Sequence, residues 1–114
     1  MPISEFTRKL IEQKLSQYCT GKNPVHASHE VRLIFKIRGN GVTLYESRRA
    51  FRNPSTWVNI SIAQFRYENE TNQWTLYYAD RNSRWHPYTV TEPNANFDDL
   101  LNEVDRDPTK IFWG

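Results

Sequence analysis

A change of hydrophobic period at Val31 constrains this chain more than any other feature. Apolar Val31, Leu33, Phe35 and Ile37 alternate with Arg32, Ile34, Lys36 and Arg38. A period of two is typical of a half-buried β-strand, and here its outer face is basic. Gly39-Asn40-Gly41 follows, and hairpin turns favour Gly and Asn because they need positive φ. The sequence therefore predicts a hairpin with cations on its outer face.

Four more strands complete the predicted sheet. The second strand is expected over Val42 to Phe51, and the others over Trp57 to Tyr67, Gln73 to Ala79 and Arg84 to Val90, with polar turns between them. In the third strand the apolar phase slips near Ile62, which a β-bulge explains. Successive strands joined by short turns favour an antiparallel meander.

Two helices flank these strands in the sequence. From Ser4 to Cys19 apolar residues recur every three or four positions, and Gly21 is a suitable stop. Asn96 is a suitable N-cap for a second helix with an apolar stripe through Leu100, and Pro108 ends it. The apolar tail around Phe112 is expected to dock on the core.

The predicted fold is α+β: an N-terminal helix, a five-stranded antiparallel meander and a C-terminal helix with a docked aromatic tail. With 114 residues the chain is expected to form a single domain, 1–114. Its one cysteine excludes an internal disulfide. The sequence has no apolar run of the roughly 20 residues that a membrane span needs, and no signal peptide is recognised. A cytoplasmic protein with no membrane partner is expected.

Several residues together resemble a known family. They are Trp74, the Trp85-His86-x-Tyr88 segment, and Val104-Asp105-x-Asp107 with Phe112 and Gly114. The chain resembles, over nearly its whole length, small bacterial proteins grouped as domain of unknown function 3024. Pro87 departs from that pattern, where a polar or basic residue is expected. The resemblance implies a bacterial, cytoplasmic, single-domain protein, and it implies no activity.

Charge is unevenly distributed along the chain. Residues 1–60 hold ten Lys and Arg against four Asp and Glu, whereas residues 61–114 hold five against nine. The first hairpin is the basic centre, and its two plausible registers place Arg32 opposite Arg48 or Arg49. Like charges facing each other destabilise a sheet unless an anion lies nearby. A nucleic-acid phosphate is one such anion, and the chain's own acidic C-terminal helix is the other.

Aromatic residues are interleaved with the basic ones. Tyr45 shares a side of its strand with Arg49, and Trp57, Tyr67, Tyr77 and Tyr78 belong to neighbouring strands. Arginines and exposed rings on a sheet can stack single-stranded bases, although the core also needs aromatic rings. The candidate ligand-binding residues are Arg32, Lys36, Arg38, Tyr45, Arg49 and Trp85.

His86 is the candidate catalytic residue. Closing the preceding turn between Ala79 and Arg84 would place Tyr77 opposite His86, with Asp80 as a second neighbour, and a histidine so placed can act as a general base. The alternative is a structural hydrogen bond between the imidazole and a neighbouring side chain.

No metal site or cofactor is predicted. Cys19, His26 and His29 are ligand types, but a zinc site needs a further ligand and supporting contacts. Asp105 and Asp107 fall short of a calcium loop, so capping or pairing with Arg106 or Lys110 is favoured. The sequence also lacks a glycine-rich phosphate loop and a nucleophile elbow.

Three functional hypotheses remain open. The first is a non-enzymatic binding module whose basic, aromatic sheet face engages a nucleic acid or an acidic protein. The second is a small enzyme centred on His86 with Tyr77. The third is an interaction protein that forms a homodimer or larger homo-oligomer. The first requires Arg32, Lys36, Arg38 and Arg49 on one face that the acidic helix leaves uncovered, so the placement of the helices decides its plausibility.

Overall fold

A computed structural model describes residues 3–22 and 31–113. The helices are α1 (Glu5–Lys22) and α2 (Phe97–Arg106); the strands are β1 (Val31–Arg38), β2 (Gly41–Arg49), β3 (Trp57–Glu68), β4 (Gln73–Ala79) and β5 (Trp85–Pro87). The strands form one antiparallel sheet in the order β1-β2-β3-β4-β5. The predicted α+β fold with a five-stranded meander is confirmed.

The register of the β1–β2 hairpin differs from both predicted registers. Arg38 pairs with Gly41, so the two-residue turn is Gly39-Asn40. Gly39 has a φ of 60°, and the type II′ turn prefers glycine at this first central position. Arg32 consequently lies opposite Ser47, and the predicted pairing of Arg32 with Arg48 or Arg49 is wrong.

The predicted β-bulge in β3 is present at Ile62. Tyr45 pairs with Ser61 and Leu44 pairs with Ala63, which leaves Ile62 as the extra residue. A bulge exchanges the faces on which alternate residues of a strand lie. Residues of β3 with odd numbers before the bulge, and those with even numbers after it, therefore share one face of the sheet.

Both helices pack on the same face of the sheet, which we call the covered face. Phe97 of α2 lies 4.6 Å from Phe65 between ring centroids and 5.2 Å from Trp74. Ile11 and Leu15 of α1 belong to the same buried cluster. The core also includes Leu33, Val42, Leu44, Ala63, Leu76, Leu100 and Val104. Leu100 and Val104 belong to α2, and the others lie in strands with their side chains on one face of the sheet. The core therefore lies between that face and the helices.

The two helices are also joined by polar contacts. Lys14 Nζ lies 2.6 Å from Asp98 Oδ2, and Lys22 Nζ lies 2.7 Å from Asp105 Oδ1. The Tyr18 hydroxyl donates to the same Asp105 carboxylate at 3.0 Å. Two of the acidic residues of α2, Asp98 and Asp105, are thus paired with cations of α1, on the helical side of the molecule.

The C-terminal tail docks on the core, as predicted, and Asp107 holds it there. Asp107 ends α2 with a left-handed φ of 45° and is 4 % exposed. Its carboxylate accepts the backbone N–H groups of Phe112 at 3.1 Å and Trp113 at 2.8 Å. Phe112 is buried and lies 4.9 Å from the ring of Tyr88. Asp107 therefore caps the helix and fastens the tail, and Asp105 pairs with Lys22 rather than with Arg106 or Lys110.

Element ends account for the remaining differences. α1 continues through Gly21 to Lys22, and Gly21 does not adopt the positive φ of a glycine that ends a helix. β5 covers only Trp85–Pro87, although the Tyr88 N–H still donates to the Leu76 carbonyl oxygen of β4 at 2.8 Å. Neither of the described helices has the length and apolar character required to cross a membrane.

Candidate functional site

The sheet face opposite the helices carries most of the cations of the strands, and we call it the open face. The pairings place on it Arg32, Lys36 and Arg38 of β1, Tyr45 and Arg49 of β2, Trp57, Gln64 and Arg66 of β3, Tyr77 of β4 and Trp85 of β5. All six candidate ligand-binding residues therefore lie on this face. Tyr67 and Tyr78 lie on the covered face, where they pack against the core.

Two arginines meet over a tryptophan at one end of the open face. The guanidinium carbons of Arg32 and Arg49 lie 4.0 and 4.8 Å from the centre of the Trp57 ring. Arg32 reaches Trp57 from β1 across β2, and the small Ser47 beneath its path is only 1 % exposed. The π-face of the indole attracts both cations. The sequence led us to expect a nearby anion to offset the repulsion between neighbouring arginines, and the indole ring takes this place.

Arg49 has a further role beside the ring. Its Nη1 donates to the carbonyl oxygen of Pro54 at 2.6 Å, in the loop between β2 and β3. Arg49 therefore helps to shape this end of the sheet, which makes it a poor first choice for a binding mutant.

Lys36 and Arg38 occupy the β1 edge of the open face. Both side chains are exposed. Lys36 Nζ lies 5.5 Å from the centre of the Tyr45 ring on the neighbouring strand. This long cation–π contact leaves most of the ammonium group in water, where it can meet a ligand.

A second cation–aromatic pair, Arg66 and Tyr77, lies further across the sheet. The Arg66 guanidinium carbon is 3.9 Å from the centre of the Tyr77 ring. Arg66 Nε donates to Gln64 Oε1 at 2.6 Å, and Gln64 Nε2 donates to Thr43 Oγ1 at 2.9 Å. These hydrogen bonds fix the guanidinium in place over the ring.

The sequence argument did not single out Arg66. Without the bulge, its even number would place it on the opposite face from Trp57. The signal was present, because the phase slip at Ile62 carries Arg66 to the open face. Following the slip to the end of the strand would have identified this residue.

Trp85 lies at the far edge of the open face, away from the β1 cations. It pairs with Ala79, next to the position where Tyr77 pairs with Pro87. The structure thus brings Arg32 and Arg49 together and sets Lys36 beside Tyr45, whereas Trp85 lies at the other edge with Tyr77.

Few negative charges share the open face. Among its strand residues, Glu68 at the end of β3 is the acidic one, since Glu46 of β2 lies on the covered face beside Arg48. The carboxylates Asp98 and Asp105 of α2 pair with Lys14 and Lys22 of α1. The acidic helix therefore does not neutralise the basic hairpin, which was the alternative left open by the sequence.

His86 and Tyr77 do not form the predicted pair. The register places His86 opposite Tyr78 and Tyr77 opposite Pro87, so the imidazole and the Tyr77 ring belong to different faces. The shift arises because Asp80 closes the turn, accepting the backbone N–H groups of Asn82 at 2.8 Å and Arg84 at 3.0 Å.

The imidazole of His86 has two structural partners instead. His86 Nε2 lies 2.8 Å from Asp80 Oδ2, and its ring stacks on Tyr78 at 5.4 Å between centroids. The hydrogen bond to His86 is the main cause that lowers the pKa of Asp80 to about 2. The His86 side chain is 46 % exposed, so the arrangement is that of a turn-stabilising hydrogen bond.

The candidate metal ligands are only partly described. His26 and His29 lie outside the described residues. Cys19 is buried in the core, and burial raises the pKa of its thiol to about 11. In residues 3–22 and 31–113 no three side chains of metal-ligating type gather into a site.

The chain belongs to the family described as domain of unknown function 3024, whose model matches residues 3–114. Neither the curated proteins nor the solved structures contain a match to it. The family description names no activity, so the functional argument depends on the geometry of the open face.

Proposed function

We propose that this member of the family is a binding module whose open face engages nucleic acid. The observation that carries the proposal is the placement of both helices on the other face. With α2 paired to α1, the exposed cations Arg32, Lys36 and Arg38 of the open face remain available to an anion. A cytoplasmic location, in which nucleic acid is accessible, is part of this proposal.

The composition of the face favours nucleic acid among polyanions. Cations supply sequence-independent attraction to phosphates, and rings supply surfaces on which bases stack. Tyr45, Tyr77 and Trp85 accompany the cations Lys36 and Arg66 on the open face. In a nucleic acid each nucleotide supplies both a phosphate for a cation and a base for a ring, which matches this composition.

The modest formal charge of +2 for the whole chain does not oppose this function. Local potential depends on where charges lie, and the Debye length is only about 8 Å at physiological salt. The paired acidic residues of α2 lie across the thickness of the sheet from Lys36 and Arg38. The open face therefore presents a positive surface on a nearly neutral molecule.

The test is a titration of fluorescently labelled DNA and RNA, single- and double-stranded, followed by anisotropy over a range of salt concentrations. We expect micromolar or tighter binding at low salt. If the five cations of the open face each neutralise a phosphate, the logarithmic salt slope for a single strand is about −3.5. The variant Lys36→Gln/Arg38→Gln should weaken binding at least tenfold and reduce the slope by about 1.4.

The matched control is Arg8→Gln/Lys9→Gln. These residues lie on the exposed side of α1, paired with Glu12 and Glu5, and their loss changes the formal charge by the same two units. Affinity should be nearly unchanged in this control. Equal weakening in both double variants, or no binding at low salt, would refute the proposal.

A further inference from the structure

Building on the proposed binding function, we infer that the open face is specific for single-stranded nucleic acid. Its phosphates would run along β1, and a base would stack on the fixed pair of Arg66 and Tyr77.

Across the open face, charged side chains at the β1 edge give way to aromatic side chains at the β5 edge. β1 contributes Arg32, Lys36 and Arg38 to the open face and no ring, whereas β4 and β5 contribute Tyr77 and Trp85 and no charge. Neighbouring strands lie about 4.8 Å apart, so these two edges are separated by roughly 14 Å or more. A single strand has the same polarity, with charged phosphates on one side and bases on the other.

The second argument is that the Arg66–Tyr77 pair is organised before any ligand binds. The hydrogen bonds from Arg66 to Gln64 and from Gln64 to Thr43 hold the guanidinium over the ring. Thr43 is only 7 % exposed, so it anchors these two hydrogen bonds in the sheet. Bases stack on aromatic rings and on guanidinium planes alike. Because the pair is already ordered, little conformational entropy is lost when a base docks.

The third reason is that strand residues, and neither of the described helices, form the open face. Proteins that read a duplex usually insert a helix or a two-stranded ribbon into the major groove. Both described helices lie on the covered face, and the open face consists of strand side chains. A duplex would offer it phosphates alone, because its bases are already stacked. Contact with rings therefore favours a strand whose bases are free.

The experiment compares three labelled probes at the same salt: a single strand of about twelve nucleotides, within the usual range of site sizes, the matching duplex, and inorganic polyphosphate. The variants are Tyr77→Leu, which keeps an apolar side chain without the ring, and Tyr77→Phe, which keeps the ring. We expect the wild-type protein to bind the single strand at least tenfold more tightly than the other probes. Tyr77→Leu should weaken single-strand binding about tenfold.

The salt slope and the duplex affinity distinguish the contribution of stacking to binding from that of charge. Tyr77→Leu should leave the salt slope and the duplex affinity unchanged, whereas Lys36→Gln should lower the slope by about 0.7 for the single strand. Tyr77→Phe should bind like the wild-type protein. Thermal unfolding of each variant verifies that it is folded, and if Tyr77→Leu is not, the comparison of the three probes on the wild-type protein still tests the inference.

The other outcomes contradict either the single-strand inference alone or the proposed function as well. Equal affinity for all three probes, with Tyr77→Leu harmless, would refute the single-strand inference and leave the proposed polyanion-binding function standing. Tighter binding to the duplex would also refute the inference alone. A protein that binds none of the probes, or binds only polyphosphate, would refute the inference and the proposed function together.

Discussion

The two faces of the sheet use the same kinds of aromatic residue in different ways. On the covered face rings pack against rings, as Phe65 does against Phe97 at 4.6 Å. On the open face rings lie under cations, as Tyr77 does under Arg66 at 3.9 Å. The first arrangement removes apolar surface from water and stabilises the fold. The second contributes less to stability, and it keeps charge and ring surface within reach of a ligand.

This comparison implies that stability and binding are separable in this protein. Substitutions on the covered face should lower the free energy of unfolding, and those at exposed positions of the open face should lower affinity. Trp57 is an intermediate case, because its ring is flanked by Arg32 and Arg49 at the end of the sheet.

The largest expected effect is that of Phe65→Ala. Phe65 is fully buried at the centre of the sheet and contacts Phe97 of α2. Truncation removes a large apolar side chain and leaves a cavity, so the free energy of unfolding should fall by about 3–5 kcal/mol. Urea denaturation followed by circular dichroism measures this change.

The matched substitution on the open face is Tyr77→Ala. Tyr77 loses mainly its contact with Arg66, which should cost about 1 kcal/mol. A loss in Tyr77→Ala as large as that in Phe65→Ala would mean that the open face is also part of the core, and the distinction between the faces would fail.

The next largest effect concerns the tail that closes the covered face. Asp107→Gly removes the acceptor for the N–H groups of Phe112 and Trp113, and glycine tolerates the left-handed φ of 45°. We expect a loss of about 2 kcal/mol, because buried donors are left without partners. Hydrogen exchange at the Phe112 and Trp113 amides should accelerate more than exchange in β2.

Asp107→Ala loses the same acceptor but keeps a Cβ in the left-handed region, as Asp107 has, whereas glycine relieves that strain. A side chain with Cβ in the left-handed region costs about 1–2 kcal/mol. The alanine variant should therefore be less stable than the glycine variant. The reverse order would show that the carboxylate, and not the backbone conformation, is the whole contribution of Asp107.

The fold could be predicted from the sequence because the hydrophobic patterns that specify its strands are local. The alternation after Val31 and the phase slip at Ile62 identified strands and a bulge that the structure confirms. The hairpin register was not accessible, since Gly39-Asn40-Gly41 fits more than one two-residue turn. A small shift of the turn changed the residue opposite Arg32 from an arginine, as predicted, to Ser47.

The candidate site was only partly accessible, for a related reason. One of the two predicted hairpin registers, with Arg32 opposite Arg49, placed Lys36 and Tyr45 on one face, but no local pattern tells which face the helices cover. The contacts that decide it, such as Lys14 with Asp98, join residues 84 positions apart. His86 was misplaced because the Asp80 side chain closes its turn, and side-chain capping of this kind leaves little trace in hydrophobic periodicity.

The residues that carry the resemblance to the family lie mostly on the covered side. Trp74, Tyr88 and Phe112 are buried in the core, and Asp107 fastens the tail. These positions explain why the chain folds as it does. Among the described residues that carry the resemblance, Trp85 is the one on the open face, so the shared residues account for the fold rather than for the candidate site.

The smallest expected effect is a pH dependence at the turn between β4 and β5, where Asp80 meets His86. Hydrogen bonds from His86, Arg84 and Asn82 lower the pKa of Asp80 from 3.8 to about 2 in the folded protein. A lowered folded-state pKa stabilises the protein above the unfolded value, and this contribution is lost as pH falls from about 4 to 2. The stability difference between the wild-type protein and Asp80→Asn should therefore shrink over that interval.

His86→Gln sharpens this prediction, because it keeps the carboxylate and removes the imidazole, the largest cause of the lowered pKa of Asp80. Denaturant titrations of the three proteins between pH 5 and 2 should show the steepest acid-induced loss in the wild-type protein and a shallower one in His86→Gln. Single-strand affinity at neutral pH should be the same in all three, since His86 lies on the covered face. A large loss of affinity in His86→Gln would place His86 in the binding site and contradict the division of roles between the two faces.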